Sequence, residues 1–193
     1  MIDPRTILDS RREMNRGFPK FERKEEDAAE GGCGVVGLAS EVPVAGRHLF
    51  ASLEQMRNRG NGKGGGVAMV GLEPEQFGVD AKTMSESYLY AIAYLNNEHR
   101  EAVEESFIHP NFTVSHVHEM PTLESWKTNL MSLDTRPPDV VCYFVTPREE
   151  EVDRFIDERL GAVIDPKDRE AATQEFVFQT THSLNVEYYA KDG

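Results

Sequence analysis

The sequence predicts a mixed α+β fold, and three observations carry that prediction. Between residues 88 and 181 four short apolar runs alternate with three helical periodicities. Nearer the start, the apolar runs VVGLA (35–39) and VAMVGL (67–72) bracket an amphipathic helical pattern and a loop with five glycines in seven positions (60–66). The third is composition: 193 residues, 39% hydrophobic and 28% charged, suffice for one substantial core or two small ones.

Taken in order, residues 1–30 show no sustained periodicity and read as an irregular or processed leader. VVGLA is a short strand, and VPVAG (42–46) a turn or short strand. Leu49, Phe50, Leu53 and Met56 fall at helical spacing, giving a helix from Arg47 that stops near RNRG. VAMVGL resumes as a strand, and EPEQFGVDAKTMSES (73–87) reads as a linker. YLYAIAYL (88–95) is then a strand, NNEHREAVEESF (96–107) a helix capped by Asn96 or Asn97, and FTVSHVHE (112–119) an alternating strand. PTLESWKTNLM places Leu123, Trp126 and Leu130 on one helical face, and VVCYFV (140–145) is an apolar strand. TPRE (146–149) opens a helix as a capping box with Pro147 at the first position. That helix buries Val152, Phe155, Ile156 and Leu160 and ends at Gly161. EFVFQTT (175–181) is a last strand. The order of these elements resembles a ferredoxin-like α+β unit with an extra helix.

Charge narrows the function. The net charge is −13, and residues 81–193, with 21 acidic and 10 basic residues, carry −11 of it. Nucleic-acid binding wants a basic footprint, so it is excluded as the expected role. No apolar run approaches the ~18 residues of a membrane span, and the first 27 residues are too charged for a secretory signal. A cytoplasmic protein without a membrane partner is expected. The two cysteines, Cys33 and Cys142, make no disulfide framework and are read as free thiols.

GGCGVVGL (31–38) raises the chemical question, because glycines on both sides of Cys33 let other groups approach its thiol. A thiol is a good nucleophile only as thiolate, so a base must take its proton. Cleavage between Gly32 and Cys33 would supply one, since the freed α-amine has a pKa near ~8. Residues 1–32 would then be a propeptide. The other reading is a small buried cysteine at a strand edge.

CGVVGL, a helix, and then MRNRGNGKGGGVAMV resembles the start of the class II, N-terminal-nucleophile, glutamine amidotransferases. The run from GFPKFERKEEDAAEGGCGVVG to GNGKGGG is similar to the separately encoded amidotransferase domain of archaeal-type glutamate synthase. The tight resemblance covers residues 15–72. It implies that residues 33–80 begin an Ntn-type α/β/β/α glutaminase fold, that 81–180 are an inserted ferredoxin-like α+β unit, and that 181–193 return to a truncated glutaminase domain. Cys33 matches the nucleophile that attacks the glutamine side-chain amide. Arg59 and Gly60 match the RG of the family's loop, Arg59 shaping the substrate site and Gly60 permitting close backbone approach. Where the family commonly has an acidic residue, this chain has Gly62. The oxyanion Asn-Gly pair and the glutamine carboxylate-binding arginine have no match; the one NG, at Asn61, lies inside the loop, so these groups are expected beyond Gly193. The terminal Asp-Gly likewise reads as half of a hairpin turn and the chain as a fragment. The implied partners are glutamine and a synthase subunit that receives ammonia, and no cofactor is implied.

Other constellations are weaker. His116 and His118, with His99 and His109 nearby, share a strand face but lack a carboxylate or cysteine at ligand spacing, so no metal is expected. GNGKGGG with Lys63 lacks the order of a phosphate-binding P-loop and follows a helix instead of a strand. Cys142, Trp126 and Tyr143 read as core. A rival function is a catalytically inactive remnant or metabolite-binding regulatory module, which would have no use for a cut before Cys33.

Overall fold

The structure is a computed structural model that describes residues 3–14, 16, 34–56, 59, 66–127, 136–161 and 165–188. It is mixed α+β, built on one three-stranded antiparallel sheet. The helices are α1 (Pro4–Met14), α2 (Arg47–Met56), α3 (Ala81–Glu86), α4 (Arg100–Val103), α5 (Glu149–Phe155) and α6 (Pro166–Glu187); the strands are β1 (Tyr88–Tyr94), β2 (Phe112–Met120) and β3 (Asp139–Pro147). Among the described residues, no helix is long and apolar enough to cross a membrane.

The sheet order is β1-β3-β2, so β3 pairs on both sides and is nearly continuous in burial, which is why VVCYFV lacks alternation. One face carries the larger core, where Tyr90, Tyr94, Val141, Tyr143 and Val145 meet Val103, Phe107, Val152, Ile156, Phe176 and Leu184 from the helices. The other face is covered by residues 72–84, with Phe77 packed on Cys142 and Phe144. A bulge at Ser115 decides which side β2 presents. Val114 stands opposite Val145, but His116 stands opposite Phe144, so the extra residue moves both histidines from the helix face to the Phe77 face.

Several sequence expectations are corrected. The stretch 175–181 is not a strand but the middle of α6. Asp165 accepts a bond from Lys167 N–H at the cap, Pro166 takes the first position, and Ala172, Phe176 and Gln179 are buried on one stripe. Thr173, Thr180 and Thr181 turn their hydroxyls onto carbonyls four residues back, which reconciles β-branched side chains with a helix. The fourth strand of the ferredoxin-like order is therefore absent among the described residues, and α6 runs unbroken through the domain boundary expected at 180/181.

The leader is not irregular throughout. Asp3 receives Arg5 N–H on its side chain and Pro4 opens α1, which buries Ser10. The runs 35–39 and 67–72 are not strands; Val35 is 85% and Val70 98% exposed, and apolarity without a neighbouring strand cannot make a sheet. The supposed linker folds: Glu73 and Gln76 cap a turn at Pro74–Gln76, Phe77 is buried, and Asp80 caps α3 by accepting from Thr83 N–H at 2.6 Å. Phe77 thereby crosses the boundary expected at 80/81. The helix expected at 121–131 is a single turn, Glu124–Lys127, within the described residues. The capping box at Thr146 does not form, because β3 continues through Pro147 opposite Phe112 and the α5 cap falls to Arg148. Both helices after β1 and β3 close with a widened π turn, Glu104–Ile108 and Ile156–Leu160, and Gly161 ends the second at φ 78°.

Candidate functional site

Cys33 and Gly60 lie outside the described residues, as do Asn61, Gly62 and Lys63 of the glycine loop. Arg59 is described and exposed. What can be built is the ground beside them. The turn at Ala45–Gly46 receives His48 and Leu49 N–H groups and starts α2, which runs to Met56, three residues before Arg59. Gly34, the residue after Cys33, lies against the end of that helix. A Cβ at Gly34 would stand 2.7 Å from Met56 Cβ and 3.0 Å from Met56 O, so only glycine fits. Gly34, one residue after Cys33 in sequence, and Met56, three residues before Arg59, thus meet.

A second polar assembly sits between the sheet and α4, and periodicity did not reveal it. Tyr143 Oη donates to Glu104 Oε1 at 2.7 Å and lies 3.0 Å from Tyr94 Oη; Arg100 donates to Glu104 at 2.8 Å and to Glu119 at 2.7 Å. Burial, then the hydrogen bonds with Tyr94 and Glu104, push the Tyr143 phenol far above its ordinary value. Burial alone would raise Glu104, but bonds from Arg100 and Tyr143 and the guanidinium charge outweigh it and hold the carboxyl below its ordinary range. Tyr143 is a core residue, as expected, and also the hinge of this network. Its one available sequence signal is Arg100 and Glu104 at helical i, i+4 spacing.

The histidines serve packing. His116 Nε2 lies 2.9 Å from Phe77 O, and the His118 ring meets Phe77 edge-on at 5.3 Å. Among the described residues no group of three or more His, Cys, Asp or Glu is gathered as a metal site. Cys142 is buried, and burial pushes its thiol up, away from nucleophilic use.

Two concavities are lined by described residues. One, of about 270 Å³, lies between the two π turns and α6, with Arg154, Arg159, Gln179 and Ser183 on its walls. The larger, of about 540 Å³, runs between β1 and the C-terminal half of α6. Tyr90 on its wall is 7% exposed, and its hydroxyl makes no hydrogen bond of normal geometry although Thr181 approaches it. Compared with protein-family models, with curated proteins and with solved structures, the chain matches none.

Proposed function

We propose that this chain is a glutamine amidotransferase component of the class II type, acting in the cytoplasm and passing ammonia to a separate glutamate synthase subunit. The single observation that supports it is Gly34 against Met56. A nucleophile flanked by a glycine that fits only there, next to the helix that leads to the RG loop, is the arrangement such a site needs.

The chemistry follows from an N-terminal cysteine. Cleavage before Cys33 frees its α-amine, which takes the thiol proton. The thiolate attacks the side-chain amide carbon of glutamine, the C–N bond breaks, and the leaving nitrogen takes a proton from the ammonium to depart as ammonia. Water, deprotonated by the same amine, then attacks the glutamyl thioester and releases glutamate and the thiolate. Donors for the tetrahedral oxyanion are worth about 3 kcal/mol of barrier in such reactions.

The test is glutamate release from glutamine together with intact mass. The expected result is loss of residues 1–32, and activity that vanishes in Cys33→Ala. A chain that keeps its leader and releases no glutamate is a binding module instead.

A further inference from the structure

The sheet ends on an unusual edge. With the order β1-β3-β2, β1 has β3 on one side only among the described residues, and residues 90–95 consecutively line the groove beside it. Consecutive lining means that the strand is met edge-on, with its backbone N–H and C=O groups on the groove wall. The residues 175–181 that could have formed a fourth strand are spent in α6 instead.

The two edges of this sheet are managed differently. On β2 the bulge at Ser115 breaks the ladder, and Glu119 puts a carboxylate on the strand, paired to Arg100. These are ordinary devices against edge-to-edge pairing. On β1 there is neither. Residues 87–97, SYLYAIAYLNN, contain no charge in a chain of net charge −13, and β1 has no proline and no register shift against β3. For a copy of an acidic molecule, this is a neutral approach.

The strand is also self-complementary. In YLYAIAY, an antiparallel pairing centred on Ala91 sets Tyr88 opposite Tyr94, Leu89 opposite Ala93, Tyr90 opposite Ile92 and Ala91 opposite itself. Aromatic meets aromatic, and aromatic meets β-branched, the favoured cross-strand pairs. The small exposed Ala91 and Ala93 keep the other face open for the partner's Leu89.

We propose that β1 is the interface strand of a symmetric homodimer, two copies joining their sheets through antiparallel β1 strands centred on Ala91. The result is a continuous six-stranded sheet of order β2-β3-β1-β1-β3-β2. The apolar groove under α6, with Leu184 and Tyr188 on its far wall, receives the β1 strand of the second copy, whose half-buried Ile92 faces it. None of this depends on the amidotransferase reading, since no residue of the interface belongs to 33–60.

Light scattering on the full chain should give twice the chain mass, with the dissociation constant falling as salt screens the acidic copies. Ala91→Lys, at an exposed position, sets two ammonium groups face to face and should weaken the dimer at least about fivefold while circular dichroism is unchanged. Register is tested by oxidation in a Cys33→Ala background. Ala91→Cys should cross-link quantitatively, since opposed residues have Cα atoms about 5 Å apart. Ala93→Cys should not, because its own copy lies four residues along the partner strand, about 13 Å away. A monomer at all concentrations, a dimer indifferent to Ala91→Lys, or cross-linking at 93 without 91 overturns the proposal.

Discussion

Arg11→Ala is the most informative single perturbation of this fold, because it cuts the ion pair between α1 and α6. Arg11 donates from Nε and Nη2 to the two carboxylate oxygens of Glu175, at 2.8 and 2.6 Å. The acceptor side chain is 4% exposed and the donor 40%. Truncating one partner of a fully buried pair costs about 3–5 kcal/mol. Water reaches the Arg11 side, and Glu175 keeps an N–H from Gln179 at 2.9 Å, so we discount this to about 2 kcal/mol. Loss of the guanidinium from the Phe178 ring, 4.2 Å from its centroid, adds about 0.5 kcal/mol. At about 2–4 °C per kcal/mol for a chain of this size, Tm should fall by about 5–10 °C near pH 7. The pH dependence supplies a second reading. In the wild type, burial would raise Glu175, but the bonds from Arg11 and Gln179 and the Arg11 charge win and lower it. Its stabilisation is therefore present above the ordinary carboxylate value of about 4.3 and is lost as pH falls through the lowered one. Without Arg11, burial dominates and the carboxyl rises, so acid relieves the variant while it harms the wild type. The gap in Tm should close on acidification. A gap under about 1 °C at neutral pH, or one that persists unchanged in acid, refutes the reasoning.

Two further outcomes are expected. Gly34→Ala forces its Cβ into Met56 Cβ and O and should cost about 1–3 kcal/mol in chemical denaturation while cutting glutamate release; unchanged activity would separate Gly34 from the Cys33 site. Tyr143→Phe removes the bond to Glu104 and strands Tyr94 Oη, which should lower the urea midpoint by an amount equivalent to about 1–2 kcal/mol at unchanged m value; an unchanged midpoint would show that the network contributes no stability.

The legible part of the fold lies between β1 and Gly161, where the three strands and the helices after β1 and β3 carry their own local signals, whereas 121–131 and the cap at Thr146 do not form as their patterns suggest. β1 is a short apolar run and β2 an alternating one, Asn96 caps by accepting from Glu98 N–H, and Gly161 takes the positive φ that ends the helix. Where the reading failed, local and non-local preferences disagreed. EFVFQTT is rich in β formers, yet Glu175 and Gln179 point to partners in α1 that lie 164 and 169 residues away in the chain, and only a helix puts both on one stripe with Phe176. α1 had its start signal, Asp3 before Pro4, but its buried stripe is polar, so a search for apolar periodicity passes over it. The residues singled out by the amidotransferase resemblance divide differently. Arg59 is exposed, Cys33 and Gly60 fall outside the described residues, and the contact that links their neighbourhoods, Gly34 on Met56, depends on a missing side chain that no hydrophobic pattern reports.

The two halves of the chain also answer to different pressures. The sheet and its helices bury Phe112, Tyr143, Phe144 and Ile108 almost completely, whereas α2 buries none of its residues and Val35, Leu38, Val42, Phe50 and Val70 of the first half are exposed. Apolar side chains left in water contribute little to the stability of residues 34–56 and 66–70; they gain free energy only when another surface covers them. The described residues of 34–56 are therefore held by few buried contacts of their own, and the Gly34–Met56 approach is one of them. The same logic separates assembly from chemistry. Pairing through β1 adds to a region that is already well packed, so it can form or fail without moving the ground next to Cys33, and a change in glutamate release on Ala91→Lys would mean that the two halves are coupled after all.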